Sequence, residues 1–263
     1  MGSRFRLVTF DATNTLLKFK TSVGQAYSDA ARLCGVSSDP TKLSSSFKRE
    51  WKKMVAQYPN FGCNSGQSSK EWWSELVHRT FTNSGCVGVC DGKISFIAIQ
   101  LFESYKTAQC WSVESGAEEI LGKLKHTGHS IGMISNTDER LDDILRNLNL
   151  KQYFDFVIAS SVVKVEKPSK EIFSLALAKA SENDEVRPSE ALHIGDDVEL
   201  DYCASKNAGW NAVLLLDGRS HKHAKAVEAF VDPADIIYKL SDIDKKIFTE
   251  SHQHVRDAPP LKL

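Results

Sequence analysis

The spacing of apolar residues changes character along the chain. An opening run containing Leu7, Val8 and Phe10 is nearly continuous and β-rich, then breaks at Asp11 into the small polar residues Ala12, Thr13, Asn14 and Thr15. That pattern predicts a buried strand opening onto a loop, with Asp11 at the strand's carboxyl end. After Leu17 the spacing turns helical. Val23, Ala26, Tyr27, Ala30, Ala31 and Cys34 share a face that Gly35 ends, and a second amphipathic helix is predicted over 43–56, with Pro40 ahead of it and Pro59 behind. A loop rich in Pro, Gly, Asn and Ser covers 58–69, and Ser69 is placed to cap a helix beginning at Lys70. Another loop (83–92) and helix (94–105) follow. Adjacent Trp72 and Trp73 cannot face the same way on a helix. One is therefore expected in a core and the other against a neighbouring element, with contact to a ligand as the competing reading.

From Trp111 onward helices alternate with short apolar strands. Helices are predicted over 117–125, 140–148, 170–180 and 202–207, and strands over 129–135, 154–160, 190–196 and 212–216. This alternation argues for an α/β fold, a mainly parallel sheet with helices on both faces, which the first strand joins across the helical insertion. In open sheets of this kind ligands bind beyond the carboxyl ends of the strands, so residues placed there matter most. The strand ending at Ile134 leads into Ser135-Asn136-Thr137, a hydroxyl with neighbouring amides suited to a phosphate oxygen. Lys167 precedes Pro168 and is held extended, so its ammonium can be aimed at a nearby site. His193-Ile194-Gly195-Asp196-Asp197, with Asp201 four residues beyond Asp197, gathers carboxylates of the kind that suit Mg2+; His193 itself reads as packing within the strand. Singly, Ser135 and Lys167 read as ordinary loop residues. Their succession at strand ends, as Asp, Ser, Lys-Pro and Gly-Asp-Asp, points to one site.

Composition narrows the partners. The 263 residues, 41% hydrophobic and 25% charged, allow one large domain or two modest ones. A formal net charge of -1 leaves no electrostatic footprint for nucleic acid or an anionic membrane. Lys48-Arg49 and Lys52-Lys53 read as the solvated face of a helix. The N-terminal segment lacks the apolar stretch of roughly 7–15 residues that a secretory leader needs, Arg6 stands where a myristoylation signal wants Ser or Thr, and no membrane span is expected. Leu261-Lys262-Leu263 only approaches a peroxisomal address. Six scattered cysteines do not form a disulfide framework, and Cys86 and Cys90 lack partners at zinc-site spacing, so a reducing, cytoplasmic home is expected. His221, His223, His252 and His254 read as exposed polar residues, and the tail 251–263 is expected to be poorly ordered.

The ordered set Asp11, Ser135, Lys167-Pro168 and Gly195-Asp196-Asp197 with Asp201 resembles the haloacid dehalogenase superfamily of hydrolases. The helical insertion, with Phe154-Asp155, Lys167-Pro168 and Ile172-Phe173, is similar more narrowly to the haloacid-dehalogenase-like hydrolase domain-containing protein 3 group. The resemblance implies a Rossmann-like parallel-sheet core, 1–18 and 110–250, with an α-helical cap over 19–109. It also implies an aspartyl-phosphate on Asp11, with Ser135, Asn136 and Lys167 around the phosphoryl group. Mg2+ would be held by Asp11, the carbonyl of Thr13 and Asp196, with Asp201 and Asp197 orienting waters on it, and the substrate would be a small phosphorylated molecule. The cap would select it, with Tyr58, Asn60 and Trp72 as candidate contacts.

The chain departs from the pattern at Thr13, where phosphatases of the superfamily usually carry a second Asp, and at Asn14, usually Gly. A threonine hydroxyl cannot act as general acid near neutral pH, and losing that help reduces rates by roughly 10^2 to 10^4. Good leaving groups, acyl or aryl phosphates, would suffer least. Threonine here also resembles ion-pumping ATPases of the superfamily, in which the aspartyl-phosphate persists. Three readings therefore stand: a Mg2+-dependent phosphohydrolase, a non-catalytic phosphate-binding or protein-interaction descendant, and hydrolysis at carbon as in a 2-haloacid dehalogenase.

Overall fold

A computed structural model describes residues 3–86, 89–181, 185–216 and 224–248. The tail 251–263 and His221, His223, His252 and His254 lie outside the described residues. The elements in chain order are β1 (Leu7–Phe10), β2 (Leu17–Phe19), α1 (Val23–Leu33), α2 (Pro40–Gln57), α3 (Ser69–Thr82), α4 (Asp91–Ser104), β3 (Trp111–Val113), α5 (Ala117–His126) and β4 (Ser130–Ser135). They continue with α6 (Arg140–Asn147), β5 (Phe156–Ala159), α7 (Ser160–Val163), α8 (Lys170–Ala180), β6 (Ala191–Gly195), α9 (Ala204–Asn207), β7 (Asn211–Leu215), α10 (Ala224–Phe230), β8 (Ile236–Ile237) and α11 (Ile243–Ile247).

The main sheet has the order β5-β4-β1-β6-β7-β8 with every neighbouring pair parallel. All four residues of β1 are buried, as a central strand covered on both faces requires. The period of two divides its side chains between two cores. Val8 and Phe10 join Ile131, Met133, Leu192 and Ile194 above α5 and α6, whereas Leu7 joins Ile134, Ala191, Ile172 and Phe173 beneath α8. Gly132 lets the Phe156 ring lie on the strand, since a Cβ there would stand 2.3 Å from Phe156 Cζ.

Helices α1 to α4 build their own apolar interior around Tyr27, Leu43, Val77, Phe81 and Ile97, with Met54, Trp72 and Leu76 forming a second cluster. This helical insertion leaves and rejoins the sheet through an antiparallel ribbon, β2 paired with β3, in which Phe19 opposes Trp111 with ring centroids 4.3 Å apart. Three-residue strands carry too little periodicity to be predicted, and the ribbon was not. A second tie runs from the loop after α2: Asn60 donates its side-chain amide to the Ser160 carbonyl at 3.0 Å, and Ser160 Oγ donates back to Asn60 Oδ1 at 2.7 Å.

Boundaries differ from expectation where capping decides them. The second helix begins three residues before Leu43, because the Asp39 carboxylate accepts from the Thr41 and Lys42 amides and Pro40 occupies the first turn. The third is capped by Ser68 rather than Ser69, because Glu71 lies three residues beyond Ser68 and completes a reciprocal capping box. The helical segment expected over 202–207 starts earlier, at Val198, under an Asp197 cap.

Candidate active site

Parallel, in-register pairing aligns three strand ends at one edge. Phe10 lies opposite both Met133 and Ile194, so Asp11 follows β1 where Ser135 ends β4 and where Asp196 follows β6. The Asp11 amide extends this ladder by donating to the Ile194 carbonyl at 2.9 Å. From the turn after α7, Lys167 reaches beneath the loops. Its ammonium donates to Asp11 Oδ1 at 2.7 Å, to Asp201 Oδ1 at 2.5 Å and to the Ile134 carbonyl at 3.0 Å, with the side chain only 2% exposed.

Each partner of that lysine is held in turn. Asn136 grips the lysine backbone from both sides, donating to the Lys167 carbonyl and accepting from its amide, both at 2.8 Å. Its side chain is thereby committed to positioning rather than free for a ligand. Asp201 Oδ1 also pairs with His193 Nε2 at 3.1 Å, and Oδ2 accepts from the Asp197 amide at 3.0 Å. Gly195 makes room for this carboxylate, because a Cβ there would sit 2.1 Å from Asp201 Cγ. His193 Nδ1 faces Thr9 Oγ1 at 2.8 Å. Burial lowers the His193 pKa, and because an ionised carboxylate can only accept, it is Nε2 that donates to Asp201. The strand histidine expected only to pack therefore orients a site carboxylate; a lone imidazole in an apolar strand was the available signal.

Electrostatics separate the three acids. Burial pushes Asp11 up, with Lys167 opposing and Asp201 adding to the rise. Burial also works against an ionised Asp201, but Lys167 and His193 outweigh it and hold the carboxyl below its usual range. Burial likewise disfavours the Lys167 charge, yet Asp11 and Asp201 together raise its pKa and keep it an ammonium. Asp196 is pushed up to about 7 by burial and then by the charges of Asp11 and Asp201, against a hydrogen bond with the Asn14 side chain.

Carboxylate oxygens of Asp11, Asp196 and Asp201 lie within 4.8 Å of one another. Three acids against one ammonium leave a deficit of positive charge, which the raised Asp196 expresses. An oxygen-only donor set with that deficit fits a hard divalent cation. Asp197 is not part of it: its Oδ1 caps the following turn through the Glu199 and Leu200 amides, both at 2.9 Å. Ser135 is buried at the end of β4, and Thr13 sits in the tight loop where the Asn14 amide bonds the Leu17 carbonyl.

Above these loops the helical insertion encloses a cavity of about 660 Å3 that reaches Thr13, Asn136 and Thr137 and is lined by Trp51, Phe61, Trp73, Phe102 and Tyr105. The three insertion residues singled out from sequence do not line it. Trp72 is fully buried and donates its indole N–H to the Tyr58 carbonyl, while Asn60 binds Ser160. The neighbouring Trp73 faces the cavity and donates to Asp138 Oδ2 at 2.7 Å. A separate depression of about 770 Å3, lined by residues such as Ser65, Lys70, Glu71 and His78, touches none of the strand-end residues.

A parallel sheet presenting this ordered set at its carboxyl edge defines a class. The chain belongs to the haloacid dehalogenase-like hydrolase family, whose sequence profile matches residues 5–209. It is 39% identical over 251 residues to the Rhythmically expressed gene 2 protein of Drosophila melanogaster, covering 93% of this chain and 96% of that one. It is 36% identical over 210 residues to haloacid dehalogenase-like hydrolase domain-containing protein 3 of Xenopus laevis, covering 80% and 84%. Among solved structures, the putative HAD-hydrolase YfnB from Bacillus subtilis bound to magnesium superposes with a TM-score of 0.70 at 15% identity over 92% of this chain and 98% of that one. A HAD phosphatase from Thermococcus onnurineus gives 0.60 at 20% identity, covering 92% and 97%. L-2-haloacid dehalogenase from Xanthobacter autotrophicus with chloropropionic acid covalently bound gives 0.61 at 16%, also covering 92% and 97%. The shared fold thus spans two chemistries and leaves the choice to the site. Among the described residues no helix is long and apolar enough to cross a membrane.

Proposed function

We propose that this chain is a Mg2+-dependent phosphohydrolase acting on a small phosphorylated molecule. The observation that carries the reading is Lys167, whose buried ammonium joins Asp11 to Asp201 within a cluster of three carboxylates. Asp11 is the nucleophile: its oxygen attacks phosphorus, the bond to the leaving-group oxygen breaks, and water then displaces phosphate from the aspartyl-phosphate. Lys167 suppresses repulsion between Asp11 and the incoming dianion, and with the Ser135 hydroxyl it holds phosphoryl oxygens as charge shifts onto them. Asn136 positions Lys167, and His193 positions Asp201. Asp11, Asp196 and the Thr13 carbonyl would hold Mg2+, with Asp201 behind them. When bound, the ion neutralises charge on the phosphoryl oxygens.

In this reading the helical insertion, 19–109, is a cap over a discontinuous core of 1–18 and 110–250, and it excludes water from the crevice. Six unpaired cysteines suit a reducing compartment, the cytoplasm. Hydrolysis at carbon needs no metal and would leave the acidic cluster without a purpose. The non-catalytic reading is favoured by one feature, Thr13 in place of a titrating acid.

Turnover of 4-nitrophenyl phosphate with and without Mg2+ decides between them. The wild type is expected to require the ion and Asp11→Asn to be inactive. Equal rates for the two proteins would end the nucleophile assignment.

A further inference from the structure

The cavity above the strand ends is walled by rings. Trp51, Phe61 and Trp73 meet with centroids 5.5 to 6.3 Å apart, and Phe102, Tyr105 and Trp111 add three more aromatic faces. Its buried charges cancel: Arg140 donates to both oxygens of Asp138, at 2.8 and 2.6 Å, and its guanidinium is covered by Phe102 and Trp73 at 4.3 and 4.8 Å from the ring centres. Lys48 and Lys52, the other charged residues lining it, are exposed. The uncharged side-chain hydroxyls on its lining are those of Tyr27, Tyr105, Thr13 and Thr137; a sugar or polyol phosphate would press its remaining hydroxyls against the rings, and each one left unbonded weakens binding. A flat apolar body suffers no such loss, stacks on the rings, and is the size of ligand that a 660 Å3 cavity accepts.

Thr13 supports the same conclusion independently. It lines the cavity two residues beyond Asp11, and it has no proton to give a departing group near neutral pH. An alkoxide leaving unprotonated is strongly disfavoured. A phenoxide, whose conjugate acid has a pKa of about 10, departs without that help.

We infer that the substrate is a small aryl phosphate, the phosphate monoester of a flat aromatic alcohol seated among Trp51, Phe61, Trp73 and Phe102. This rests on the phosphohydrolase reading above. In the first step an Asp11 oxygen bonds to phosphorus while the phosphorus–oxygen bond to the aryl group breaks. The aryloxide leaves with the electron pair and takes its proton from solvent. In the second, water adds to phosphorus and frees Asp11, so one aryl phosphate and one water become one phenol and one phosphate.

The test has two independent arms. In the first, kcat/KM of the wild type is measured with Mg2+ for phenyl and 1-naphthyl phosphate, for glycerol and glucose phosphates, and for acetyl phosphate. The aryl esters are expected to exceed the alkyl esters by about 10^2 or more, with 1-naphthyl phosphate showing a lower KM than acetyl phosphate. In the second, 1-naphthyl phosphate is titrated into Asp11→Asn and followed by quenching of tryptophan fluorescence, with acetyl phosphate as the small control. Trp51→Leu in that background is expected to weaken naphthyl phosphate binding by about tenfold or more. Alkyl esters turned over as fast as aryl esters would overturn the inference. So would turnover of acetyl phosphate by a protein that neither hydrolyses nor binds the naphthyl ester, although the phosphohydrolase reading would then survive. Naphthyl phosphate binding with no hydrolysis of any ester would instead uphold the aromatic-ligand site and overturn the hydrolase reading.

Discussion

Trp73 of the helical insertion donates its indole N–H to Asp138, a 1%-exposed carboxylate in the loop that follows β4. The bond crosses the boundary between the insertion and the sheet, and Arg140 grips the same carboxylate from the other side. Trp73→Phe keeps the ring and removes only the donor. A hydrogen bond to a charged group contributes roughly 1.5–3 kcal/mol, and with Arg140 still paired the loss is expected at the low end. Urea unfolding measures it, and an unchanged midpoint would show that the contact adds nothing.

Lys167→Met leaves Asp11 and Asp201 buried without their shared cation. Removing one partner of a buried pair destabilises by about 3–5 kcal/mol, and a protein without the ammonium should not turn over 4-nitrophenyl phosphate. Adding Asp201→Asn is expected to restore part of the stability and none of the activity. Full activity in either variant would remove Lys167 from the mechanism.

In the proposed reading Asp196 ties cation binding to pH. Its carboxyl is raised from 3.8 to about 7, so between those values the folded protein without metal keeps a proton that the unfolded chain has lost. Stability from this group is therefore greatest at low pH and declines as pH rises toward 7. A cation held by Asp196 would reverse the trend, since it needs the ionised carboxylate. Mg2+ should raise Tm more at pH 8 than at pH 6, where it must displace the proton. Equal shifts at the two values would argue against Asp196 as a ligand.

In the proposed reading Thr13→Asp would supply the acid that phosphatases of the superfamily usually carry there. It should raise kcat for an alkyl phosphate by a larger factor than for 4-nitrophenyl phosphate, with roughly 10^2 to 10^4 as the range general acid help can supply. Equal gains on both esters would mean that the carboxylate acts on something other than leaving-group protonation.

The sheet and the strand-end residues were legible in the sequence because each rests on a local rule. A nearly continuous apolar run such as Leu7–Phe10 reads as a buried central strand whose end delivers Asp11 to the sheet edge, and Lys167 is flagged by the proline after it. The insertion was legible as helices but not as a surface. Whether Trp72 or Trp73 meets the cavity depends on how the helices dock, which periodicity does not encode, and Asn60 could not be read as a tie to Ser160 because that partner is 100 residues away. The role of the Asn136 side chain was similarly hidden: the sequence pointed to its backbone amide as a phosphate donor, and nothing local showed that its side chain would hold the Lys167 backbone 31 residues away.

The β2–β3 ribbon has a consequence for how the molecule can be taken apart. Phe19 and Trp111 are ladder partners, so excising everything between them leaves two ends a single rung apart, close enough for a tight turn to join. The sheet edge bearing the acids and the lysine would then stand open to solvent on a shorter chain. In the proposed reading, specificity and chemistry would then reside on separately replaceable stretches of one polypeptide, and a foreign insertion spliced at that rung would inherit the old floor of acids and lysine.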